Sequence, residues 1–590
     1  MAKTEEALSW IPAGSLAELK EKGHKVVQGG IAVFWHENQV YAVDNRCPHM
    51  GFPLHLGSLC DGILTCHWHH ARFALCGGGA LDPWADDVPS HEVRVENGEI
   101  WVNPKPRRGT GLERHRSRLR EGLEQNIGLA IAKAIVGLIE SGASAGEIVA
   151  AGLEHGLQYG SGWNAGLTIL TAMARVLPQL DREGQILALY QGMLHVSRGA
   201  AGRPERHLLG ALPDGPASAE RLAAWYRRCV EVRDTQGAER VLLTAIERGL
   251  PDKALADMMF AAATDHMYLD GGHTLDFHNK AFEAMAFLPP ERKKLLLTSL
   301  VPLLARPSRA EESHPWQSPV NLVEPIRRGI ARLEAAAGAG AETLPGTRPL
   351  PPERETDLFR LLLEDRPLDT FEALTASLLA GDSPAGLARV IALAAAERIV
   401  RFHTQNDFRD WIAVLHTFTH ANAVYAALRR APSLPLARAL YHAAAAVYLD
   451  RFLNVPAARR PSAEDGAAGE FRPEEFLAIL DSRQQVSEAA RWAMPHLRRK
   501  ERTGPLLNVL GHALLREDAD FHTFQMYEGV VSQLAAWEGR EDAFAETARE
   551  TLLLAAVRYL AAQAPTPRET PHTARIAVRL HRGEALFEEK

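Results

Sequence analysis

Between Cys47 and Phe73 the chain reads CPHMGFPLHLGSLCDGILTCHWHHARF. Those 27 residues hold three of the chain's five cysteines and five of its 25 histidines. Cys47-x-His49 and Cys66-x-x-His69 lie on either side of a 16-residue spacer. Each half reads as a tight turn that presents one thiolate and one imidazole. Two such turns offer two sulfurs and two nitrogens to one inorganic centre, so the segment must fold back on itself. A zinc ion accepts such a set tetrahedrally.

The flanks read as β-structure. IAVFWHENQVYAVDN has two β-rich runs around Glu37-Asn38, and VRVENGEIWV has two around Asn97-Gly98. Asn-Gly is a strong hairpin signal because both residues accept positive φ. The Cys-x-His and Cys-x-x-His spacing comes with Gly51, Pro53-Leu54, Trp68, Arg72-Phe73 and the trailing IWVNP. In this combination it resembles the Rieske [2Fe–2S] family over residues 7–104 far more than a zinc finger. The resemblance implies that Cys47 and Cys66 ligate a buried iron, and that His49 and His69 ligate an outer iron near the surface. High-potential members carry a disulfide between the two loops and a Gly-Ser after the second histidine. Here Phe52 and Trp68 stand at the cysteine positions and His70-Ala71 replaces Gly-Ser. That implies the ferredoxin or oxygenase type, with a potential of about −150 mV. The electron donor would be an NAD(P)H-dependent reductase or a ferredoxin. Cys60 and Cys76 are expected as free, buried thiols.

With 590 residues the chain is too long for one core. A net charge of −7 argues against a nucleic-acid binder working through a basic face. The start, MAKTEEALSW, has no apolar core and does not read as a secretory signal. No apolar run is long enough for a membrane span. The most apolar stretch, IGLAIAKAIVGLIE (127–140), carries Lys133 and reads as a buried amphipathic helix. Four of the five cysteines precede residue 77 and do not make a disulfide framework, so a cytoplasmic setting is expected.

NPKPRRGTGLERHRSRLREG shows no apolar periodicity, and residues 105–122 read as a linker. Beyond it the texture changes. Segments such as NAGLTILTAMARVLPQL, DWIAVLHTFTHANAVYAALRRA and DAFAETARETLLLAAVRYLAAQ place apolar residues at i, i+3, i+4 and i+7. Residues 123–590 are therefore expected as one all-helical domain, with loops over 335–355 and 455–470. The fold class is multidomain, a small all-β domain followed by a large all-α domain.

A lone electron carrier has no need of so long an extension, and histidines cluster within it. One group is His266, His273 and His278, interleaved with Asp265, Asp270 and Asp276. Another is His403, His416 and His420, of which the last two lie one helical turn apart within AVLHTFTHANAV. Imidazoles facing an apolar interior are costly unless paired or coordinated. His155 stands alone, and a fourth group holds His512 and His522. Asp270-x-x-His273-x-x-x-x-His278 is similar to the iron motif of Rieske oxygenase catalytic subunits. That family sets its iron on a curved sheet, whereas the surroundings here read as helical. The order His155, His266 and His273, then His416-x-x-x-His420, resembles the questin oxidase-like family, whose members are all-helical with a histidine-built iron site. That resemblance implies a mononuclear non-heme Fe(II) held by His155, His266, His273, His416 and His420. The modified lysine that serves as a ligand in that family has no fixed place in this sequence, Lys280 after His278 being one candidate.

The expectation is an oxidoreductase that uses O₂ and acts on a small organic substrate. The cluster would feed electrons to that iron. No flavin or dinucleotide fingerprint is present, so the reductase would be a separate partner. Two rivals remain. One is an electron-transfer or redox-sensing protein whose helices dock a partner. The other is a metal-dependent hydrolase or isomerase. Catalytic residues beyond the metal ligands are not identifiable.

Overall fold

The computed structural model describes residues 10–82, 84–107, 112–213, 217–305, 307–338, 346–462, 470–584 and 586. The chain divides into two compact units. One joins residues up to 144 with those from 572 onward, and the other spans 145–571.

The first unit is built on nine strands: β1 (Ile11–Ser15), β2 (His24–Val27), β3 (Ile31–His36), β4 (Gln39–Asp44), β5 (Ser58–Cys60), β6 (Ile63–Thr65), β7 (Arg72–Ala74), β8 (Ser90–Glu96) and β9 (Glu99–Pro106). A short helix, α1 (Leu16–Lys22), follows β1. Six strands form an antiparallel sheet in the order β1-β9-β8-β4-β3-β2, and three form a small sheet β5-β6-β7. Both expected hairpins are present. Glu37 and Asn38 turn β3 into β4 at φ 46° and 59°, and Asn97 and Gly98 turn β8 into β9 at 51° and 82°. Strand alternation divides β3 between two cores. Ile31 and Val33 join Ala42, Ile100 and Val102. Ala32 and Phe34 join Val43, Leu54, Leu64, Phe73 and the cysteines Cys47 and Cys66.

The expected linker over 105–122 is mostly helix. β9 continues to Pro106, and α2 (Leu112–Glu124) buries Leu119, Gly122 and Leu123. Its apolar stripe is only one turn long and was hidden among arginines. Residues 108–111 of that stretch lie outside the described residues. The apolar run forms α3 (Gly128–Glu140), buried along most of its length and packed on α2. In place of a linker over 105–122 the division falls after 144 and again after 571, because α2 and α3 pack on each other and bond the loop carbonyls of Asp87, Ala85 and His49, and the final segment accepts from Arg46.

Four helices organise the second unit: α4 (Ala165–Val176), α5 (His273–Ala284), α6 (Phe408–Arg430) and α7 (Phe521–Ala536). α4 packs on α5 and α7, and α6 packs on the same two, which closes a four-helix ring. All four run in one direction. His273, His416 and His522 meet at one end, whereas Arg175, Glu283, Arg430 and Ser532 surround a cavity at the other. Capping fixes the starts. Asn164 caps α4, Asp520 caps α7, and Asp407 with Asp410 makes a reciprocal capping box for α6. Helices Pro384–Val400 and Leu434–Leu449 cover α6 from outside, so its middle is buried. The last helix, α8 (Glu569–His581), runs from one unit into the other. Of the expected loops, 335–355 loses its ends to Val323–Ala337 and Pro352–Leu363, and 339–345 and 463–469 lie outside the described residues. Among the described residues no helix is long and apolar enough to cross a membrane.

Candidate metal centres

Two loops of the first unit are built alike. In the loop after β4, the Cys47 amide donates to the Phe52 carbonyl at 2.8 Å and the Gly51 amide to the Cys47 carbonyl at 2.7 Å. In the loop after β6, the Cys66 amide donates to the Ala71 carbonyl at 2.9 Å and the His70 amide to the Cys66 carbonyl at 3.0 Å. Each six-residue loop has its fifth residue in the left-handed region, Gly51 at φ 88° and His70 at φ 62°. Glycine enters that region freely, and His70 does so under strain.

This symmetry brings Cys47, His49, Cys66 and His69 together. Both cysteines are buried, at 2% and 1% exposure, while His69 is exposed. The hydrogen bond to Cys66, and then burial, hold the Cys47 thiol up, whereas the same hydrogen bond draws the Cys66 thiol down to about 6. The rings of His49 and His69 meet edge to face with centroids 4.9 Å apart, and Trp84 closes on His49 at 4.7 Å. His49 is pushed down to about 4 by burial and by the neighbouring Lys133, and its buried Nδ1 has no hydrogen-bond partner. Two inner sulfurs, one half-buried imidazole and one exposed imidazole are the donor set a Rieske cluster takes. Phe52 and Trp68 span the two loops with ring centroids 6.2 Å apart. Cys60 and Cys76 are free as expected, but exposed rather than buried.

A model of the Rieske [2Fe–2S] domain matches residues 9–92. The ferredoxin component of the naphthalene 1,2-dioxygenase/salicylate 5-hydroxylase systems of Ralstonia sp is 34% identical over 98 residues, covering 16% of this chain and 94% of that protein. Through this segment the chain belongs to the Rieske family. The ferredoxin component of the alkene monooxygenase system of Xanthobacter autotrophicus is 33% identical over 72 residues, 12% of this chain and 59% of that protein. The solved ferredoxin of carbazole 1,9a-dioxygenase from Nocardioides aromaticivorans is 27% identical, with 16% of this chain and 99% of that one covered and a TM-score of 0.16. The Rieske domain implies a [2Fe–2S] cluster and an electron-transfer role.

The Rieske unit adds one feature from outside the matched segment. Lys133 of α3 donates from Nζ to the carbonyls of Pro48 and His49, the latter at 2.9 Å, and faces Asp86 at 3.5 Å.

In the second unit, His273, His416 and His522 place one ring nitrogen each within 4.8 Å of the others. His273 is the first residue of α5, His416 sits within α6, and His522 is the second residue of α7. The backbone entering α5 is unusual. Tyr268, Asp270, Gly271 and Gly272 have φ of 46°, 52°, 62° and 94°. At Gly272 a Cβ would come within 2.9 Å of His420 Cβ, so only glycine lets α5 start this close to α6. Burial, and then the neighbouring imidazoles, push His273 down to about 4 and His416 to about 3. Both are neutral at pH 7, as a metal ligand must be. His416 Nε2 is buried with no hydrogen-bond partner. His522 Nδ1 faces Asp520 Oδ2 at 3.0 Å, which leaves its Nε2 lone pair free. Phe277 and Phe521 flank His273 at 5.5 and 5.7 Å.

Of the five histidines expected at this centre, two meet. His420 points one turn away, with Nδ1 3.3 Å from the Gly272 carbonyl and its ring against Tyr268. His266 is taken by Glu231 and Glu311, each at 2.6 Å, because it lies on a half-buried acidic patch. His155 packs on Tyr159. His278 uses Nδ1 on its own helix, 2.7 Å from the Thr274 carbonyl. Lys280 is no ligand candidate, since Glu283 and Glu528 take its ammonium. The third member, His522, comes from the fourth group, and its partner there, His512, lies instead against Asp181 at 2.8 Å.

Proposed function

We propose that this chain is a Rieske-fed, O₂-dependent oxidoreductase. Its helical unit would hold a mononuclear non-heme iron on His273, His416 and His522, and it would act on a small organic substrate. Cys47 and Cys66 would hold the inner iron of the cluster, and His49 and His69 the outer one. The observation that carries the reading is the meeting of three imidazoles, two of them kept neutral by burial, on three helices of one bundle. Three protein ligands leave positions free for exogenous ligands. When bound, such an iron supplies one-electron chemistry and a place for O₂.

The chain's own residues do the rest. Asp520 fixes the ring of His522 and its tautomer. Gly272 lets His273 enter from a tight turn. Phe277 and Phe521 form an apolar wall that excludes water and suits an organic substrate. His69, exposed on the Rieske unit, is the edge through which an electron enters. The ferredoxin components similar to this domain serve oxygenase systems, which supports an NAD(P)H-dependent reductase or a ferredoxin as donor. A zinc ion on three histidines would suit hydrolysis, but zinc has no use for the electron a Rieske domain carries.

Elemental analysis of full-length protein prepared without oxygen tests the proposal. It should give about three irons per chain, two for the cluster and one for the triad. His416→Ala should lower that to about two while the cluster's absorption stays. Zinc at the triad would favour the hydrolase reading. Cluster iron alone would make the helices a docking scaffold for an electron-transfer partner.

A further inference from the structure

A stripe of charged and polar side chains runs down the interior of the four-helix ring from the three imidazoles. One helical turn beyond His273 and His522 come Asp276 and Gln525, and Gln525 Nε2 donates to Asp276 Oδ2 across the bundle. One turn further, Lys280 Nζ donates to Glu528 and, at 2.9 Å, to Glu283. Arg175 of α4 then reaches Glu528 at 3.1 Å and Glu283 at 3.4 Å. Arg175 and Glu283 line a solvent-open cavity of about 580 Å³ together with Arg430 and Ser532. From His273 to Glu283 the stripe is about 15 Å long by helical rise. Asp276, Lys280, Gln525 and Glu528 are all at 2% exposure or less. Gln525 Oε1 and Asn279 Oδ1 have no hydrogen-bond partner. Burying charge through a bundle otherwise lined by Leu, Ala and Phe is expensive, and apolar packing would be more stable. The stripe therefore has a use other than stability.

We propose that this stripe is a proton path from the cavity at Arg175 to the three-imidazole site, with Asp276 as its last carrier. The inference rests on the proposed oxygenase function. Hydroxylation of R–H by O₂ consumes two electrons and two protons and gives R–OH and water. The C–H and O–O bonds break, and new C–O and O–H bonds form. The Rieske domain brings the electrons from its reductase, and a buried site needs a separate route for the protons. Protons enter at Glu283, pass through the Lys280–Glu528 pair and reach Asp276. The charges that face Asp276 set its affinity. Lys280 favours the carboxylate, while Glu528 and Glu283 oppose it, and burial dominates and pushes the group up to about 7. Burial opposes the Glu283 carboxylate, and Lys280, then Arg175 and Arg430, hold it ionised on the cavity side. A carrier poised near neutrality both gives and takes a proton readily.

The test uses the full chain and the Asp276→Asn and Glu528→Gln variants, with folding checked by circular dichroism. Infrared spectra of the wild type should show a buried carboxylic-acid carbonyl band that shifts in D₂O and is missing in Asp276→Asn. In Glu528→Gln that band should exchange with D₂O at least tenfold more slowly. Reoxidation of the reduced, iron-loaded chain by O₂, followed at the cluster bands, should slow at least tenfold in Asp276→Asn and lose its solvent isotope effect, with iron content unchanged. A band whose exchange ignores Glu528→Gln, or reoxidation that ignores Asp276→Asn, overturns the path and leaves the iron site standing. A wild type without the third iron overturns the functional reading, and the path falls with it.

Discussion

Asp520 holds His522 with one carboxylate oxygen and caps the helix that carries it with the other. Its Oδ2 lies 3.0 Å from His522 Nδ1, and its Oδ1 takes the Thr523 amide at 3.1 Å to cap α7. One carboxylate thus fixes both the ring and the helix that carries it. Asp520→Ala should weaken metal binding by about 10- to 100-fold and remove about 1 kcal/mol of cap stability. Asp520→Asn keeps a cap and should lose only the first of these. Titration of metal-free protein with Fe(II) or Co(II), paired with thermal melts, separates the two effects.

Gly272 at φ 94° leaves no room for a side chain against His420. Gly272→Ala should cost about 1–3 kcal/mol of stability through strain. It should also push the start of α5 outward, so that metal affinity falls although no ligand is changed. Denaturant unfolding and metal titration read the two consequences. Unchanged affinity would show that α5 starts where it does for another reason.

Lys133 carries a positive charge to the carbonyls of Pro48 and His49. A nearby cation favours the more negative, reduced cluster. Lys133→Met should therefore lower the midpoint potential from a starting value of about −150 mV expected for the ferredoxin type. Titration of both proteins against mediators at one pH measures the change. A potential that stays constant or rises would make Lys133 a structural clamp only.

Acid should unfold the helical unit before it unfolds most proteins of this size. His195, His278 and His420 are all pushed down to about 4, chiefly by burial. A group with a lowered folded pKa binds its proton first in the unfolded chain. The stability these three contribute is complete above the unfolded value of about 6.5 and is lost as the pH falls toward 4. Asp276 works the other way, since its raised pKa penalises the folded state as the pH rises toward 7. Burial also lowers His273, His416 and His442 and also raises Asp257 and Asp450. The lowered imidazoles outnumber the raised carboxyls, so the melting temperature of metal-free protein should fall between pH 6.5 and 4. His278→Gln should flatten part of that slope.

The cluster loops were legible because each ligand sits in a local turn whose spacing is fixed within six residues. The hairpins were legible for the same reason, through Asn38 and Asn97. The amphipathic periods gave the helices. Which helices face each other is not a local property, and that is why His155, His266 and His420 were grouped with His273 and His416. His420 shares a helix face with His416, but the Gly272 carbonyl lies in front of it. His522 was grouped with His512 and not with His273 and His416, although Asp520 beside it supplied both a cap and an orienting acid. α2 was missed because Leu119 and Leu123 alone make its stripe. Nothing local to residues 572–584 tells that they return to the first unit, where Arg46 donates to the carbonyls of Leu580, at 2.8 Å, and Glu584.

That return has a consequence for synthesis. The cluster-bearing unit is made of two pieces of chain, with 427 residues of helical unit between them (145–571). On the ribosome the cluster loops emerge early, but the segment that anchors Arg46 emerges only after every helix of the triad has been made. The two pieces of the cluster-bearing unit close last, so the unit whose ligands are translated first is the last to be completed.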